Sequence, residues 1–275
     1  MHDEHPRADD IISTSPVASN SAPRPGDTCL VFKGNGDYVE IPSAPTLSPA
    51  TTRALTISAW MRPDTLNFTT WEGSGYVYWL GKGQTAGDSG DQEYALRIYN
   101  RDDTREKPPR PNRVSGYLFN SSGGLGVGSY FQDELAAGAW MHVVFCLDGR
   151  ATSIYRDGAF RRCDLYQPGA DSRCTRHFDP GTHVPLFIQP RSGPAPLRLG
   201  TKDAHSSFFA GAISRVRLWS RALSGSEIAK LYSADELSRD GLVAEYLLDE
   251  GHGSAAGDTA GAHPGVIHRA DWGTA

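Results

Sequence analysis

Apolar and polar residues alternate along three stretches of this 275-residue chain, with the period of two that a half-buried β-strand shows. The stretch from residue 55 to 61 is the clearest, because every second residue is apolar and the others are Thr, Ser and Trp. We expect the apolar rows to face a core. Their members are Leu55, Ile57, Ala59 and Met61 in the first strand, Tyr94, Leu96 and Ile98 in the second, and Met141, Val143, Phe145 and Leu147 in the third.

The opposite rows of the same strands carry aromatic and ionisable side chains, namely Trp60, Glu93, Arg97, Tyr99 and His142. If the three strands lie in one sheet, these residues share its open face. Aromatic rings beside a carboxylate and an arginine suit a sugar, because sugars stack on rings and form paired hydrogen bonds with charged groups. Proton transfer by His142 and Glu93 is a second use. Two simpler roles stay open: a hydrogen bond from His142 to a neighbouring strand, and an ion pair between Glu93 and Arg97.

One short helix is predicted near residue 225. Ser224 and Glu227 have the spacing of a capping box, in which the serine and the glutamate each bind a backbone N–H of the first turn. Ile228, Leu231 and Tyr232 then form an apolar stripe at helical spacing. A strand-like run that ends in Val-Arg-Leu-Trp at residues 216–219 precedes the helix.

The segment from Ala210 to Tyr232 resembles the end of the laminin-G-like domain, the concanavalin A-like and pentraxin-related jelly roll of bacterial proteins. The family pattern is small-Gly-x-Ile-x-x-Val-Arg-Ile-Trp-x-Arg-Ala-Leu-Ser-x-x-Glu-Ile-x-x-Leu-Tyr. The sequence has Ser214 and Arg215 where the family usually places an acidic pair, which bears on any cation ligand expected there. The resemblance implies an all-β fold, a two-sheet antiparallel jelly-roll sandwich over residues 28–275 with one short helix in the C-terminal region. Residues 1–27 are predicted to be a disordered tail, because they hold almost no large apolar residue.

The start of the domain, residues 28–42, is predicted to be a hairpin around the turn Gly34-Asn35-Gly36. It resembles the family's Phe-x-Gly-x-x-Asp-Tyr-Val-x-Ile-Pro opening, in which the aspartate, here Asp37, often helps to hold a structural Ca²⁺. The alternative is that Asp37 closes its own turn through backbone hydrogen bonds. Asp258 is the second candidate calcium ligand, and the loop acids Asp88 and Asp91 add hard oxygen atoms that suit this ion.

The C-terminal segments 241–251, 258–263 and 270–273 resemble the part that normally opens domains of this family. We therefore predict a circular permutation in which Leu242–Leu248 pairs next to Leu30–Lys33, because the first and last strands of such sandwiches lie side by side. A truncated second repeat is the competing explanation.

Candidate ligand-binding residues lie on the outward rows and in two long segments, 63–92 and 100–113, since long loops on a β scaffold often carry binding specificity. They are Trp60, Trp71, Tyr78, Trp79, Arg113 and Trp140.

Composition narrows the classes of partner. The formal net charge is −5, and along the chain no Lys/Arg cluster is interleaved with aromatic residues, so nothing favours nucleic acid or an anionic membrane. No apolar run approaches the ~20 residues that a spanning helix needs. The carboxylate motif of laminarinase-type hydrolases, HExxH, CxxC and the phosphate-binding loop are not found in the sequence.

The cysteines and the N-terminus bear on the compartment. The first residues are acidic and lack the apolar stretch of a secretory signal, so we expect a cytoplasmic protein if Met1 is the natural start. Cys29 and Cys146 are predicted to be small core residues. Cys163 and Cys174 flank one loop and either form a disulfide or stay reduced, according to compartment.

These features give a first hypothesis, a calcium-stabilised module that binds carbohydrate. The alternative is a stand-alone enzyme of the lyase, cyclase or hydrolase type that acts on a small molecule or polysaccharide, with His142, Glu93, Arg97 or Tyr99 as acid–base or binding groups. A structural or protein-interaction domain is the third. The expected partner is a glycan or a small-molecule ligand, and the oligomeric state stays open.

Overall fold

The computed structural model describes residues 22–84, 91–104, 109–120 and 125–275. In these ranges seventeen β-strands form two sheets, accompanied by the helices α1 (Pro49–Thr52) and α2 (Gly225–Ala234) and a 3₁₀ turn, Pro45–Leu47. The strands are β1 Thr28–Lys33, β2 Tyr38–Ile41, β3 Leu55–Pro63, β4 Tyr76–Lys82, β5 Tyr94–Tyr99, β6 Val114–Leu118, β7 Val127–Phe131, β8 Met141–Leu147, β9 Ala151–Arg156, β10 Ala159–Leu165, β11 Thr175–Arg176, β12 Leu197–Leu199, β13 Ala210–Trp219, β14 Leu242–Tyr246, β15 Ala255–Ala256, β16 Gly265–His268 and β17 Asp271–Thr274.

The two sheets pack face to face, which confirms the all-β sandwich. The nine-stranded sheet has the order β11-β10-β9-β8-β3-β13-β1-β17, with β14 also paired to β13. The eight-stranded sheet has the order β15-β16-β2-β12-β4-β5-β6-β7. Neighbouring strands are antiparallel, with the parallel pair β10–β11 as an exception. No helix in the described ranges is long and apolar enough to cross a membrane.

The core between the sheets contains all three apolar rows predicted from the alternation. Every member of the rows on β3, β5 and β8 belongs to one buried cluster. Ile57 and Phe145 are paired neighbours on β3 and β8, and Leu96, on β5 of the other sheet, belongs to the same buried cluster. The period-two pattern therefore identified the inward side of each strand correctly.

The predicted hairpin at residues 28–42 is wrong. β1 pairs with β13 and β17 in the nine-stranded sheet, whereas β2 pairs with β12 and β16 in the eight-stranded sheet. The turn between them carries the chain from one sheet to the other. Gly34 and Gly36 have φ angles of 77° and 104°, a left-handed conformation that glycine adopts without strain.

The predicted pairing of Leu242–Leu248 beside Leu30–Lys33 is also wrong. β14 and β1 both pair with the same edge of β13, one after the other: β1 with residues 210–213 and β14 with residues 216–219. A bulge at Arg215, where φ is 51°, separates the two halves of β13. The strand beside β1 is β17, with Leu30 opposite Trp272. The circular permutation that the pairing was meant to support stays a prediction.

The helix α2 forms as the capping box predicts. The Glu227 backbone N–H donates to Ser224 Oγ at 3.3 Å, and the Ser224 N–H donates to the Glu227 carboxylate at 2.8 Å. The helix packs on the outer side of the nine-stranded sheet, where its residues join a second buried cluster. The members are Val144, Cys146, Trp219, Leu223, Ile228 and Leu231.

All four cysteines lie in the described residues, so the predictions about them have clear outcomes. Cys29 and Cys146 are buried with free thiols, which confirms them as core residues. Cys163 and Cys174 form a disulfide with a Cα–Cα distance of 4.7 Å. The bond ties the end of β10 to β11 and so fixes the start of the long segment that follows.

Residues 1–21 of the predicted tail lie outside the described residues.

Candidate binding groove on the eight-stranded sheet

The shared open face predicted for Trp60, Glu93, Arg97, Tyr99 and His142 does not exist. Trp60 and His142 lie opposite each other on β3 and β8 of the nine-stranded sheet, whereas Arg97 and Tyr99 lie on β5 of the eight-stranded sheet. The two groups therefore point away from opposite faces of the sandwich. Alternation determines which side of a strand faces the core, but not which sheet the strand joins.

His142 is buried under α2 rather than open to a ligand. Its Nε2 lies 2.7 Å from Ser58 Oγ on β3, and its ring packs near those of Trp60 and Tyr232, with centroid distances of 5.2 and 5.9 Å. The residue is 1% exposed. Burial, helped by the nearby Arg217 guanidinium, lowers the pKa of His142 to about 3. The histidine is thus bonded to a neighbouring strand, which is the simpler of its two predicted roles.

Glu93 has a structural partner other than Arg97. Its Oε1 lies 2.5 Å from Lys82 Nζ, and both side chains are fully buried. Lys82 Nζ also donates to Ser43 Oγ and to the Gly193 carbonyl, both at 3.0 Å. The predicted Glu93–Arg97 ion pair is therefore wrong, and the four predicted catalytic residues do not converge on one site.

A shallow groove is present instead on the outer face of the eight-stranded sheet. The strand register brings Tyr78 of β4, Arg97 of β5, Ser115 of β6 and Tyr130 of β7 into one row across four strands. The opposite sides of the same strands supply core residues, so the sandwich itself holds this row outward. Tyr117, two residues from Ser115 on β6, lies on the same face.

Arg97 occupies the middle of this face and is held on three sides. Its guanidinium carbon lies 3.9 Å from the ring centroid of Tyr76 and 4.2 Å from that of Tyr117. Its Nε donates to Ser115 Oγ at 3.1 Å. Stacking on ring faces stabilises the cation and fixes the plane of the guanidinium.

Arg113 extends the cationic face towards β7. Its guanidinium carbon lies 3.8 Å from the ring centroid of Tyr130, and its Nε and Nη2 donate to Gln132 Oε1 at 3.1 and 2.9 Å. Arg162 comes from β10 of the other sheet, and its guanidinium carbon lies 4.5 Å from the ring centroid of Tyr130. The groove therefore lies where the edge of the eight-stranded sheet meets β10.

Two glycines allow Tyr117 to lie flat against β7. A Cβ atom on Gly128 would stand 2.3 Å from the Gly116 carbonyl oxygen and 2.8 Å from Tyr117 Cδ2, closer than Cβ atoms approach other groups. The Gly126 N–H donates to the Tyr117 hydroxyl at 2.7 Å. The ring is therefore positioned by a hydrogen bond at its tip and by the lack of side chains beneath it.

The groove has a volume of about 170 Å³. Three arginines and one histidine contribute to its walls, and no carboxylate does so among the described residues. The lining residues are Tyr76, Arg97, Arg110, Arg113, Ser115, Tyr117, Gly126, Val127, Gly128, Tyr130 and His177.

His177 reaches the groove from the segment behind the disulfide, next to β11. Its Nε2 lies 2.7 Å from Asp164 Oδ1. Burial raises the pKa of Asp164, but hydrogen bonds from His177, Arg162 and Ser129 outweigh burial and lower the pKa overall. The carboxylate is fully enclosed, so Asp164 orients Arg162 and His177 at this end of the groove without facing it.

The other predicted ligand-binding residues have separate locations. Arg113 lines the groove, and Tyr78 is buried in the same row as Arg97. Trp79 belongs to the core, and Trp60 lies under α2. Trp140 packs against Arg62 on the other sheet, with 5.2 Å between guanidinium carbon and ring centroid, and Trp71, 37% exposed, lies between β3 and β4. Tyr99, predicted as catalytic, packs edge-on against Tyr76 with a centroid distance of 5.1 Å.

Sequence reasoning missed Ser115, Tyr117 and Tyr130 as groove residues. Their strands have the sequences Val-Ser-Gly-Tyr-Leu and Val-Gly-Ser-Tyr-Phe, in which apolar residues at both ends and small or polar residues between them show the period of two. A search for short strands with an outward tyrosine would have found them.

The predicted calcium ligands do not form a cation site in the described residues. The Asp37 carboxylate accepts a hydrogen bond from the Lys33 backbone N–H, which is the turn-closing role left open above. The Asp258 carboxylate accepts four backbone N–H groups at 2.9–3.1 Å. Asp91 Oδ1 lies 3.4 Å from Arg191 Nη2, and Asp88 lies outside the described residues. No group of three acidic, histidine or cysteine residues stands ready for a metal in the described ranges. Because Ca²⁺ takes six to eight oxygen ligands, the surroundings of these carboxylates do not fit it.

The fold and the groove define a class of protein: a two-sheet β-sandwich with a cationic, aromatic depression on the outer face of one sheet. Within it, residues 33–164 match the family model of the concanavalin A-like lectin/glucanases superfamily, a match that covers slightly less than half of the chain. No curated protein matches the sequence.

Solved structures that share the fold include two whose alignments cover most of this chain. One is a protein from Bacteroides ovatus described as carbohydrate-binding, with a TM-score of 0.58 and 19% identity; the alignment covers 92% of this chain and 61% of that one. The other is the heptameric SAP-like pentraxin from Limulus polyphemus, with a TM-score of 0.52, 14% identity, and coverage of 92% and 98%. This chain therefore spans about three fifths of the length of the first relative. At these identities the likeness shows the fold alone.

Proposed function

We propose that the protein binds a glycan in the groove of the eight-stranded sheet. The observation that carries the proposal is the position of Arg97, whose guanidinium is held between Tyr76 and Tyr117 on the outer face of the sheet. The half-buried rings of Tyr117 and Tyr130 line the groove, and the part of each ring that stays exposed offers apolar surface to a sugar, while arginine N–H groups suit the sugar's oxygen atoms. The carbohydrate-binding description of the Bacteroides ovatus protein, which shares the fold, supports the same ligand class.

A glycan array followed by calorimetric titration tests this proposal. We expect at least one glycan to bind, and replacement of Tyr117 by Ala to weaken binding about tenfold, which corresponds to ~1.4 kcal/mol for the loss of one aromatic contact and of the ring that positions Arg97. Tyr38→Ala is the matched control, because Tyr38 is also half-buried on this sheet but stacks on His268 away from the groove, with 4.5 Å between ring centroids. The proposal fails if no glycan binds, or if the Tyr117 and Tyr38 variants bind equally well.

The calcium predicted from the family resemblance enters the proposal only as a structural ion. Each titration is therefore repeated after EDTA treatment, together with a thermal melt. A lower melting temperature in EDTA, restored by Ca²⁺, would support a structural ion. Unchanged melting would remove calcium from the proposal and leave glycan binding in place. We expect the unchanged result, because the Asp37 and Asp258 carboxylates are already occupied by backbone N–H groups.

The enzymatic alternative receives no support from its predicted residues. His142 is enclosed beneath α2, and Glu93 is paired with Lys82. A general acid or base must reach the proton that it transfers, and neither group faces the groove. Any glycan that binds is nevertheless to be incubated with the protein and its products separated, since turnover would restore the alternative.

A further inference from the structure

The groove has a charge that contrasts with the rest of the chain. The protein carries a formal net charge of −5, yet basic residues and no acidic ones line the groove in the described ranges; the basic residues are Arg97, Arg110, Arg113 and His177. The guanidinium groups of Arg97 and Arg113 both line this depression, and no carboxylate of the described residues does, so the two groups create a local positive potential there. Such a potential favours an anionic ligand over a neutral one.

Among the described residues, no carboxylate compensates the positive charges of Arg97 and Arg113. Neither residue forms an ion pair with any described residue. The partners of Arg97 are two rings and the hydroxyls of Ser115 and Tyr78, and those of Arg113 are a ring and an amide oxygen. By contrast, Arg162 at the groove's end and Arg217 under α2 are both paired with carboxylates at 2.7–2.8 Å. Neutral acceptors orient a guanidinium but leave its charge in place.

The surroundings strengthen attraction to an anion. Both arginines are half-buried and stacked on tyrosines, so the local dielectric is lower than at a fully exposed surface and a charge–charge contact is correspondingly stronger. Because the rings already hold the guanidinium planes, less side-chain entropy is lost on binding. A planar guanidinium also matches the two oxygens of a carboxylate or a sulfate.

The size of the groove limits what part of a ligand it takes. Its volume is about 170 Å³. Pockets that enclose a drug-sized molecule have volumes of ~300 Å³ or more, so the groove is too small to enclose such a ligand. One sugar unit in the groove, with the rest of an oligosaccharide along the open sheet face, is consistent with this size.

We infer that the groove selects glycans whose bound sugar unit carries a carboxylate or a sulfate, with Arg97 and Arg113 as the anion-binding groups. The inference rests on the proposed function and specifies its ligand class.

Paired ligands that differ only in charge test this inference. The pairs are an oligogalacturonate and its carboxyl-reduced form, and a sulfated galactan oligosaccharide and its desulfated form. Calorimetry at 50 and 200 mM salt should show that at least one acidic member binds ten times or more tightly than its neutral partner, and that the preference shrinks at the higher salt. Which pair shows the preference identifies the anionic group as carboxylate or sulfate.

Two variants locate the selectivity. Arg113→Gln should weaken binding of the acidic ligand more than binding of the neutral one, so that the two affinities become similar. Arg113→Lys, which keeps the charge, should retain part of the preference. Arg161→Gln is the matched control, because Arg161 pairs with Asp133 at 2.8 Å and does not line the groove. Thermal melts verify that each variant is folded.

The outcomes separate the two proposals. If charged and neutral partners bind equally, glycan binding stands and the selection for acidic sugars is overturned. If no member of either pair binds and the array is also blank, the proposed function itself fails. Tighter binding of a single-stranded oligonucleotide of equal charge than of the acidic glycans would likewise overturn the inference, since arginines and rings together also suit nucleic acid.

Discussion

His142 should make the stability of the protein depend on pH in a defined range. The imidazole is buried and neutral in the folded chain because burial and Arg217 lower its pKa to about 3, whereas in the unfolded chain its pKa is the ordinary 6.5. Between these two values the unfolded state binds one proton more than the folded state. Stability contributed by the neutral histidine is therefore complete above pH 6.5 and is lost progressively as the pH falls below it.

The size of the effect follows from the two pKa values. At pH 5 protonation of His142 in the unfolded chain lowers the free energy of unfolding by 2.303RT times 1.5, the number of pH units between pH 5 and the unfolded pKa of 6.5. This loss is about 2 kcal/mol. Besides burial, two charged groups shift the pKa of His142: Arg217 lowers it and Asp235 raises it. Staying at or above pH 5 keeps most carboxylates ionised, so that their titration contributes little.

Urea unfolding at pH 8, 7, 6 and 5 measures this loss, with His142→Gln as the comparison. Glutamine keeps a polar group near Ser58 but does not titrate, and the other titrating groups cancel when the two proteins are subtracted. We expect the difference in unfolding free energy between wild type and variant to fall by about 2 kcal/mol from pH 8 to pH 5. If the difference in unfolding free energy between wild type and variant were the same at pH 8 and pH 5, His142 would take up its proton as readily in the folded chain as in the unfolded one. The assignment of a buried neutral histidine would then be wrong.

Two further predictions concern the disulfide and the buried ion pair. The double variant Cys163→Ser, Cys174→Ser should lose about 3 kcal/mol of unfolding free energy, because the disulfide closes a loop with a sequence separation of 11. A thiol titration of denatured protein from its natural source should count two free thiols. A count of four would favour the reducing, cytoplasmic compartment expected from the sequence. Lys82→Met should lower the unfolding free energy measured in urea by ~3–5 kcal/mol, because it leaves the Glu93 carboxylate buried without its partner. The double variant Lys82→Met, Glu93→Gln should lose less, and equal losses would contradict the pairing.

The parts of the fold that could be predicted are those determined locally. Alternation placed Ile57, Leu96 and Phe145 in the core, and the capping box between Ser224 and Glu227 placed the start of α2. Each of these signals depends on residues a few positions apart, so a single sequence contains them in full.

Sheet membership could not be predicted, because it depends on contacts between distant residues. The turn at Gly34–Gly36 has the composition of a hairpin turn, yet the strands on either side find partners about 180 and 230 residues away rather than each other. The error carried over to the site: once β5 was assumed to join β3 and β8, Arg97 was grouped with His142. The groove itself combines residues from β4 to β7, and no stretch of sequence contains both Tyr76 and Tyr130 in a recognisable motif.

The position of α2 explains why a ligand is expected on the eight-stranded sheet rather than on the other. Both sheets carry aromatic residues on their outer faces, and the predicted platform of Trp60 and His142 would have faced solvent if the helix were absent. Ile228 and Leu231 of α2 instead pack over that side of the nine-stranded sheet, and Tyr232 stacks on Trp60 with 5.7 Å between ring centroids. The helix thus uses this aromatic surface for stability. The rings and arginines around Arg97 have no such cover among the described residues, and a surface that holds cations in ordered positions without covering them is suited to a ligand.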